Sequence, residues 1–354
     1  MSEITQPLVC VVMRIHAKRD FFYSVQSVIA QTYTNWKLVL SFDGEIYYHS
    51  RDAQISICKN PKIIIHKYTP FYLKEEYGYR PSDHLNQAFE QVQDAKYIMV
   101  LDSDDFMFPN KIMTQVQYME KKEQLSVLGS QYVLINSKRK MIFNKFLYPI
   151  SDRKIRHVSK YRQPFVHSSV IMRAEDFRSI GGYDLFFRFG EERDLFLRLL
   201  EKGRGHNLRK ALVVYTTGRT EDEEDYPRTD LHFWKLLIDL IPIFRKVTQN
   251  LYLENYIGNE KSWLISFLQR IENEEKLSSL EKAYLKIQID KAKFLAGQLS
   301  TFHHYRWIGL CMHCIDSIRI SMGWRARIIY LIVSHWYYTR KVRKFFNMLS
   351  QKEN

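Results

Sequence analysis

The sequence has only four cysteines in 354 residues, Cys10, Cys58, Cys311 and Cys314. They are too few and too unevenly spread for the disulfide framework of a small secreted domain. Long uncharged apolar runs are also missing. The longest near the C-terminus, "IIYLIVSHWYY", falls short of the roughly 20 residues that a membrane-spanning helix requires. The opening "MSEITQPLVCVV" has no basic segment leading into a signal-type apolar core, so the expectation is a cytoplasmic protein with reduced thiols and no transmembrane helix. Acid is in deficit: 39 Asp and Glu stand against 53 Lys and Arg, a formal net charge of +14. From Ser317 to Lys352 there is no acidic residue at all. Internal repeats and low-complexity tracts are absent, which excludes solenoids.

What is present is a hydrophobic fraction of 45%, enough for a substantial core, and a clear order of elements. "LVCVVMRI" (8–15) reads as a strand, "DFFYSVQSVIAQTYTNW" as a helix, and "KLVLSFDG" as a second strand. "KIIIHKY" (62–68) predicts a third strand, "PSDHLNQAFEQVQDA" (81–95) a helix and "KYIMVLD" (96–102) a fourth strand. Short apolar strands alternating with amphipathic helices predict parallel pairing in a Rossmann-like α/β sheet. Beyond it the pattern mixes strand-like "LSVLGSQYVLI", "MIFNKFLYP", "FVHSSVIMR" and "KALVVYTT" with a helix at "EERDLFLRLLEKG". The acidic stretch at 220–230 reads as a linker or mobile loop, and 231–354 reads as helical. Expected domains are therefore 1–219, the linker 220–230, and 231–354.

In an open α/β sheet, ligands bind just past the carboxyl ends of the strands. There the otherwise basic chain places "SFDGE" and "LDSDDF", the latter with Asp102, Ser103, Asp104 and Asp105 in succession. Two carboxylates one residue apart can hold a hard divalent cation and leave positions open for phosphate oxygens. A simple Asp/Ser turn capping the helix "PNKIMTQVQYM" is an equal reading of this motif alone.

The strand–helix–strand opening, "VLDSDDFMFPNK", "FVHSSVIMRAEDFRSIGGYD" and "GEERDLFLRLLEKG" stand in one order and spacing. In these motifs the chain resembles the family 2 glycosyltransferases over residues 7–217. The resemblance implies a GT-A fold with a mixed sheet, a nucleotide-diphosphate sugar donor, Mn²⁺ or Mg²⁺, and transfer with inversion. It implies that Asp43 contacts the nucleobase, that Asn86 lies on the nucleotide side, and that Asp102 and Asp104 bind the ribose and the metal-bound diphosphate, with Asp105 beside them. His167, Ser168, Gly181, Gly182, Tyr183 and Asp184 match segments lining the sugar and acceptor pocket. Glu191 and Glu192 match a glutamate-aspartate pair whose second member is the catalytic base. The chain departs from the pattern at Arg14-Ile-His-Ala, where the family has Pro-x-Tyr-Asn, at Phe42, where it has a first aspartate, and at Glu192. Glutamate retains the base chemistry with one more methylene; Glu191 and Asp194 are the alternatives. Arg14 and Arg80 are candidates for the diphosphate.

Other features read more plainly. "CMHC" has the spacing of a zinc half-site but no second cysteine pair, and packing within a helix is the preferred reading. His16 and His66 read as structural. The basic, aromatic C-terminal stretch suits an anionic membrane surface, a helical bundle that packs its aromatic face on the catalytic domain, or nucleic acid, and could dock a partner subunit or another copy of the chain. The leading expectation is a hexosyl- or N-acetylhexosaminyltransferase, with a UDP-linked donor, acting on a glycan or lipid-linked glycan acceptor in bacterial surface polysaccharide synthesis, at the inner face of the cytoplasmic membrane. The alternatives are a catalytically silent nucleotide-sugar-binding or scaffold protein and a nucleic-acid-binding protein. The aspartates at 102–105 argue against the last, because they repel phosphates unless a cation intervenes.

Overall fold

In the computed structural model, the residues described are 6–16, 21–43, 57–69, 81–136, 141–142, 147–159, 162–185, 187, 190–217, and singly 269, 277, 282, 285 and 289. The chain divides into two compact units at residues 219 and 220, and all but those last five residues lie in the first. In the second unit Lys282, Leu285 and Ile289 are helical, with Leu285 and Ile289 buried. The rest of the basic, aromatic C-terminal stretch, including "CMHC", lies outside the described residues.

Among the described residues the first unit is an α/β sheet of nine strands. β1 (Val9–His16), β2 (Trp36–Asp43), β3 (Ile63–Lys67) and β4 (Tyr97–Val100) pair with one another in parallel, in the order β3-β2-β1-β4. Beyond β4 come β8 (Ile171–Arg173), β6 (Leu125–Asn136), β9 (Arg204–Thr217) and β5 (Phe106–Met107), with β7 (Met141–Ile142) paired to β6 alone. β8 runs antiparallel to both β4 and β6, and β5 is antiparallel to β9, while β6 and β9 are parallel. The sheet is thus mixed, as the motifs predict.

The period of two along a strand sorts the core into two faces. Val9, Val11, Met13 and Ile15 of β1, with Tyr97 and Met99 of β4, pack on Val25 and Val28 of α1 (Phe22–Ile29) and on Ile112, Val116 and Met119 of α3 (Lys111–Glu120). Cys10, Val12, Ile98 and Val100 face the other way. They pack on Leu85, Ala88 and Phe89 of α2 (Pro81–Glu90), Phe177 of α5 (Ala174–Ser179) and Leu195, Phe196 and Leu199 of α6 (Glu191–Lys202). A further helix, α4 (Asp152–Ser159), buries Ile155 on this second face. One charged group interrupts the first face. Lys111 is fully buried, its Nζ donates only to Met99 Sδ at 3.7 Å, and burial lowers its pKa to about 7.

Two expected strands differ. "FVHSS" forms a 3₁₀ turn (His167–Ser169) and leaves only three residues to β8, because Ser168 and Ser169 turn their hydroxyls onto Asp105 and the carbonyl of Val166. Within "MIFNKFLYP", Met141–Ile142 pairs with β6, but Tyr148 is no longer a strand residue. Its backbone is held instead by the side chain of Gln131. Burial pushes the thiol of Cys10 up to about 12, which makes it a packing group.

Candidate active site

The aspartate turn begins where β4 ends. The Leu101 N–H still donates to Val12 O of β1 at 2.9 Å, and the Asp105 N–H then turns back onto Asp102 O at 3.0 Å. Three distant hydroxyl residues fasten the turn. Ser24 Oγ of α1 donates to Ser103 O at 2.6 Å, and Thr216 at the end of β9 gives its Oγ1–H to Asp104 O at 2.5 Å and its N–H to Asp105 Oδ1 at 2.8 Å. Ser168 Oγ donates to Asp105 Oδ2 at 2.5 Å and lies 3.3 Å from Asp102 Oδ2, while the Asp102 N–H donates to Ser168 Oγ at 3.1 Å.

Asp105 is the most enclosed carboxylate of the turn. It has no exposed surface, both its carboxylate oxygens are engaged by the protein, and burial together with Asp102 and Asp104 raises its pKa well above the usual carboxylate range. It anchors the turn, with one hydrogen bond on each carboxylate oxygen. Asp102, 34% exposed, and the partly exposed Asp104 remain as the outward carboxylates.

Asp102 is held ionised. Burial pushes its pKa up, but His167, Arg14 and the Ser168 hydroxyl override that and pull it down to about 2. His167 Nδ1 lies 3.7 Å from Asp102 Oδ1, and its Nε2 is 2.8 Å from the Tyr183 hydroxyl. Burial lowers the imidazole pKa, yet the hydrogen bond and charge of Asp102, aided by Glu192 and Glu191, raise it overall.

The Gly181-Gly182-Tyr183 segment that carries this phenol is pinned from two helices. Both glycines have positive φ, 78° and 69°, which a side chain would strain. A Cβ on Gly182 would also come 2.6 Å from Asn86 Oδ1. Asn86 of α2 donates to Tyr183 O at 2.8 Å and accepts the Tyr183 N–H at 2.9 Å. From α6, Arg198 Nη1 donates to Ile180 O at 3.0 Å and Gly182 O at 2.7 Å, while its Nη2 pairs with the fully buried Asp194 at 2.7 Å. Asn86, expected beside the nucleotide, is therefore a clamp on this turn. Asp194 is committed to Arg198, which removes it as an alternative base.

α6 starts at Gly190, whose φ of 74° lets the chain swing into the helix with Glu191 and Glu192 in its first turn, where the helix dipole favours acid. Glu191 is buried at 7% exposure, and Arg14 Nη1 at the end of β1 stands 3.9 Å from its Oε1. Burial and the charge of Glu192 raise the Glu191 pKa to about 7 against the opposing pull of Arg14 and His167. Glu192 keeps part of its surface open and lies within electrostatic reach of His167 and Tyr183.

The fold thus gathers Arg14, Asp102, Asp104, His167, Ser168, Tyr183, Glu191 and Glu192 at the carboxyl edge of the sheet. Asp43 lies on the same edge at the end of β2, opposite His16 in register. Asp184 closes a turn through its carbonyl, which accepts the Phe187 N–H at 3.2 Å. Arg80 lies outside the described residues. Among the described residues, no group of three His, Cys, Asp or Glu side chains is arranged to hold a metal ion. Asp102 and Asp104 nonetheless offer the one or two carboxylates with which Mg²⁺-type ions are held when substrate phosphates supply other ligands. The residues that sequence reasoning passed over are the fasteners, Ser24, Thr216 and Arg198. Of these Thr216 carried a signal, since a hydroxyl pair ends the apolar run "ALVVYTT" at the ligand-bearing edge.

Comparison with known proteins gives a consistent picture. Residues 23–181 match the sequence model described as Glycosyl transferase family 2. The chain is 29% identical over 216 residues to EpsE of Bacillus subtilis (strain 168), covering 58% of this chain and 72% of that protein. It is 29% identical over 143 residues to the Escherichia coli UDP-Glc:alpha-D-GlcNAc-diphosphoundecaprenol beta-1,3-glucosyltransferase WfgD, covering 40% of this chain and about half (51%) of that protein. Among solved structures, TarS 1–349 of S. aureus in complex with UDP-GlcNAc superposes with a TM-score of 0.53 at 14% identity, over 84% of this chain and 93% of the other, a likeness of fold.

Proposed function

We propose a specific reaction for this chain, which belongs to glycosyl transferase family 2 and is a glycosyltransferase of the GT-A fold. It moves a hexosyl or N-acetylhexosaminyl group, with inversion, from a nucleotide-diphosphate sugar, UDP-linked in our reading, to a hydroxyl of a glycan or lipid-linked glycan acceptor. The setting is bacterial surface polysaccharide synthesis, with which the WfgD match agrees. The observation that carries the reading is the position of the Asp102–Asp104 turn. It stands at the carboxyl end of β4, held open by Ser168 and Thr216, with Glu191 and Glu192 in electrostatic contact with the same His167.

Each residue then has a task. Asp43 contacts the base, and Asp102, kept ionised by His167, accepts the ribose hydroxyls. Asp104, with Asp102, would hold Mg²⁺ or Mn²⁺, which supplies charge neutralisation for the departing diphosphate. Arg14 adds a guanidinium beside that diphosphate. Glu192 takes the proton of the acceptor hydroxyl as its oxygen attacks the sugar carbon from the face opposite the leaving group. Glu191, paired with Arg14, fixes the first turn of α6 from behind. One displacement inverts the anomeric centre.

Among the described residues no helix is long and apolar enough to cross a membrane. Contact with an anionic membrane, or association with another copy, is assigned to the basic C-terminal stretch. The test is thermal shift with a panel of nucleotide-diphosphate sugars, with and without Mn²⁺, on the wild type and Asp104→Ala. The expected result is a metal-dependent rise for one nucleotide that is lost in the variant. A wild type that no nucleotide stabilises in the presence of metal contradicts the reading.

A further inference from the structure

Three tyrosines beside the site have no task in this mechanism. Tyr132 lies on β6, Tyr215 near the end of β9 and Tyr148 in the segment after β7; each is partly exposed. The ring centroids of Tyr148 and Tyr215 both stand 5.7 Å from that of Tyr132, in edge-to-face arrangement at 68° and 78°. The three form one aromatic cluster on the mixed half of the sheet.

Its position is built by the backbone. The β6–β9 register slips at Ser130, Gln131 and Tyr132, an irregularity of the kind that re-aims side chains near active sites. There the buried Gln131 uses its whole carboxamide on one residue: Nε2 donates to Tyr148 O at 3.0 Å, and Oε1 accepts the Tyr148 N–H at 2.9 Å. Tyr148 is thus presented by the same two-ended clamp that Asn86 applies to Tyr183. Tyr215 immediately precedes Thr216, which holds Asp104 and Asp105. The cluster therefore borders the aspartate turn on one side. Burial, Tyr132, the opposing charge of Arg162 and then Glu192 act on the Tyr148 phenol, as burial, Asp105, Asp102, Tyr148 and Asp104 act on that of Tyr215.

We propose that Tyr132, Tyr148 and Tyr215 form the acceptor subsite, a platform on which a neutral pyranose ring of the glycan rests while its hydroxyl meets Glu192. This rests on the glycosyltransferase reading above. The chemistry follows from the surfaces. A pyranose presents C–H faces that pack on aromatic rings and a rim of hydroxyls that bond to phenols, and a tyrosine offers both in one rigid group. The carboxylates of Asp102, Asp104 and Glu192 that act on the cluster outnumber the Arg162 guanidinium that acts on Tyr148, which favours a neutral sugar over a phosphorylated or uronate residue.

The test uses saturation-transfer NMR on the full chain with methyl β-D-glucopyranoside and methyl N-acetyl-β-D-glucosaminide as probes, with UDP and diamagnetic Mg²⁺ present. The expected result is transfer to ring protons in the wild type, reduced about three- to tenfold in Tyr148→Leu and Tyr215→Leu, with the thermal shift by UDP unchanged. Tyr148→Phe and Tyr215→Phe retain the ring and are expected to retain most of the transfer, which separates a platform from a fold defect. The proposal is overturned if the leucine variants, still shifted by UDP, keep the wild-type transfer, or if a wild type that binds UDP shows none from either glycoside. A wild type that binds no nucleotide at all overturns the glycosyltransferase reading instead, and the subsite with it.

Discussion

The two halves of the sheet are built on different rules. The β3-β2-β1-β4 half is parallel among its own strands, and it places its candidate groups at or just past strand ends: Arg14, Asp43 and the 102–105 turn. The half beyond β4 mixes directions, slips register at Gln131, and delivers its groups through turns and clamps: His167, Ser168, Tyr183, Thr216. A parallel sheet fixes where a ligand lies, because all its carboxyl ends share one edge. The mixed half fixes how the site is held, since the bonds to the Asp105 carboxylate from Ser168 and from Thr216 both come from it. We assign donor binding to the first half, and acceptor binding and proton transfer to the second together with α6.

The largest effect expected is from Asp194→Ala. It leaves Arg198 unpaired in a nearly closed setting, and removing one partner of a buried pair costs about 3–5 kcal/mol. Urea unfolding checks this, and a loss below about 1 kcal/mol would mean that α6 is not tied to the Gly182 turn as described. Asn86→Ala comes next. It strips both hydrogen bonds from the Tyr183 backbone, with an expected cost of about 1–3 kcal/mol and a fall in turnover as Tyr183 and His167 lose their placement. If stability falls while turnover holds, the two halves are less coupled than the Asn86 clamp implies.

The smallest effect is a gain. Lys111→Met replaces a buried amine near the junction of the halves by an apolar chain of similar length, with an expected stabilisation of about 1–2 kcal/mol at pH 7. Its sign with pH is fixed. The unfolded chain keeps the lysine proton up to its ordinary value of 10.5, whereas the folded chain releases it near 7, so the wild type gains stability as pH rises between those values. The advantage of the methionine variant therefore falls by about 1.4 kcal/mol per pH unit above pH 7 and reverses before 10.5, and an advantage that is flat with pH would show that the amine stays charged in the fold.

Much of the first half is legible in the sequence. The run "LVCVVMRI" is apolar on both faces of the strand, as a central parallel strand requires, and the acid that follows "YIMVL" marks its ligand end. The second half is less so, for a physical reason. Thr216 meets Asp105 across 111 positions, and Gln131 reaches Tyr148 only because β6 bulges there. Neither contact leaves a periodic trace. "FVHSS" shows the cost of reading apolar residues as strand: its hydroxyls are needed by the aspartate turn, and tertiary bonding overrides the local preference. The role of Asp105 was hidden for the same reason, since a motif names neighbouring carboxylates without saying which one is enclosed.

The central claim is that Glu192, at the start of α6, does the chemistry on a donor that the parallel half holds. It is tested most directly by comparing Glu192→Gln with Glu191→Gln in two assays on each protein, nucleotide-sugar binding and sugar release or transfer. The account predicts that Glu192→Gln binds the donor as the wild type does but turns it over about 10²–10⁴-fold more slowly, while Glu191→Gln loses far less. A Glu192→Gln enzyme with near wild-type turnover, beside an inactive Glu191→Gln, would contradict it and move the base to the buried carboxylate next to Arg14.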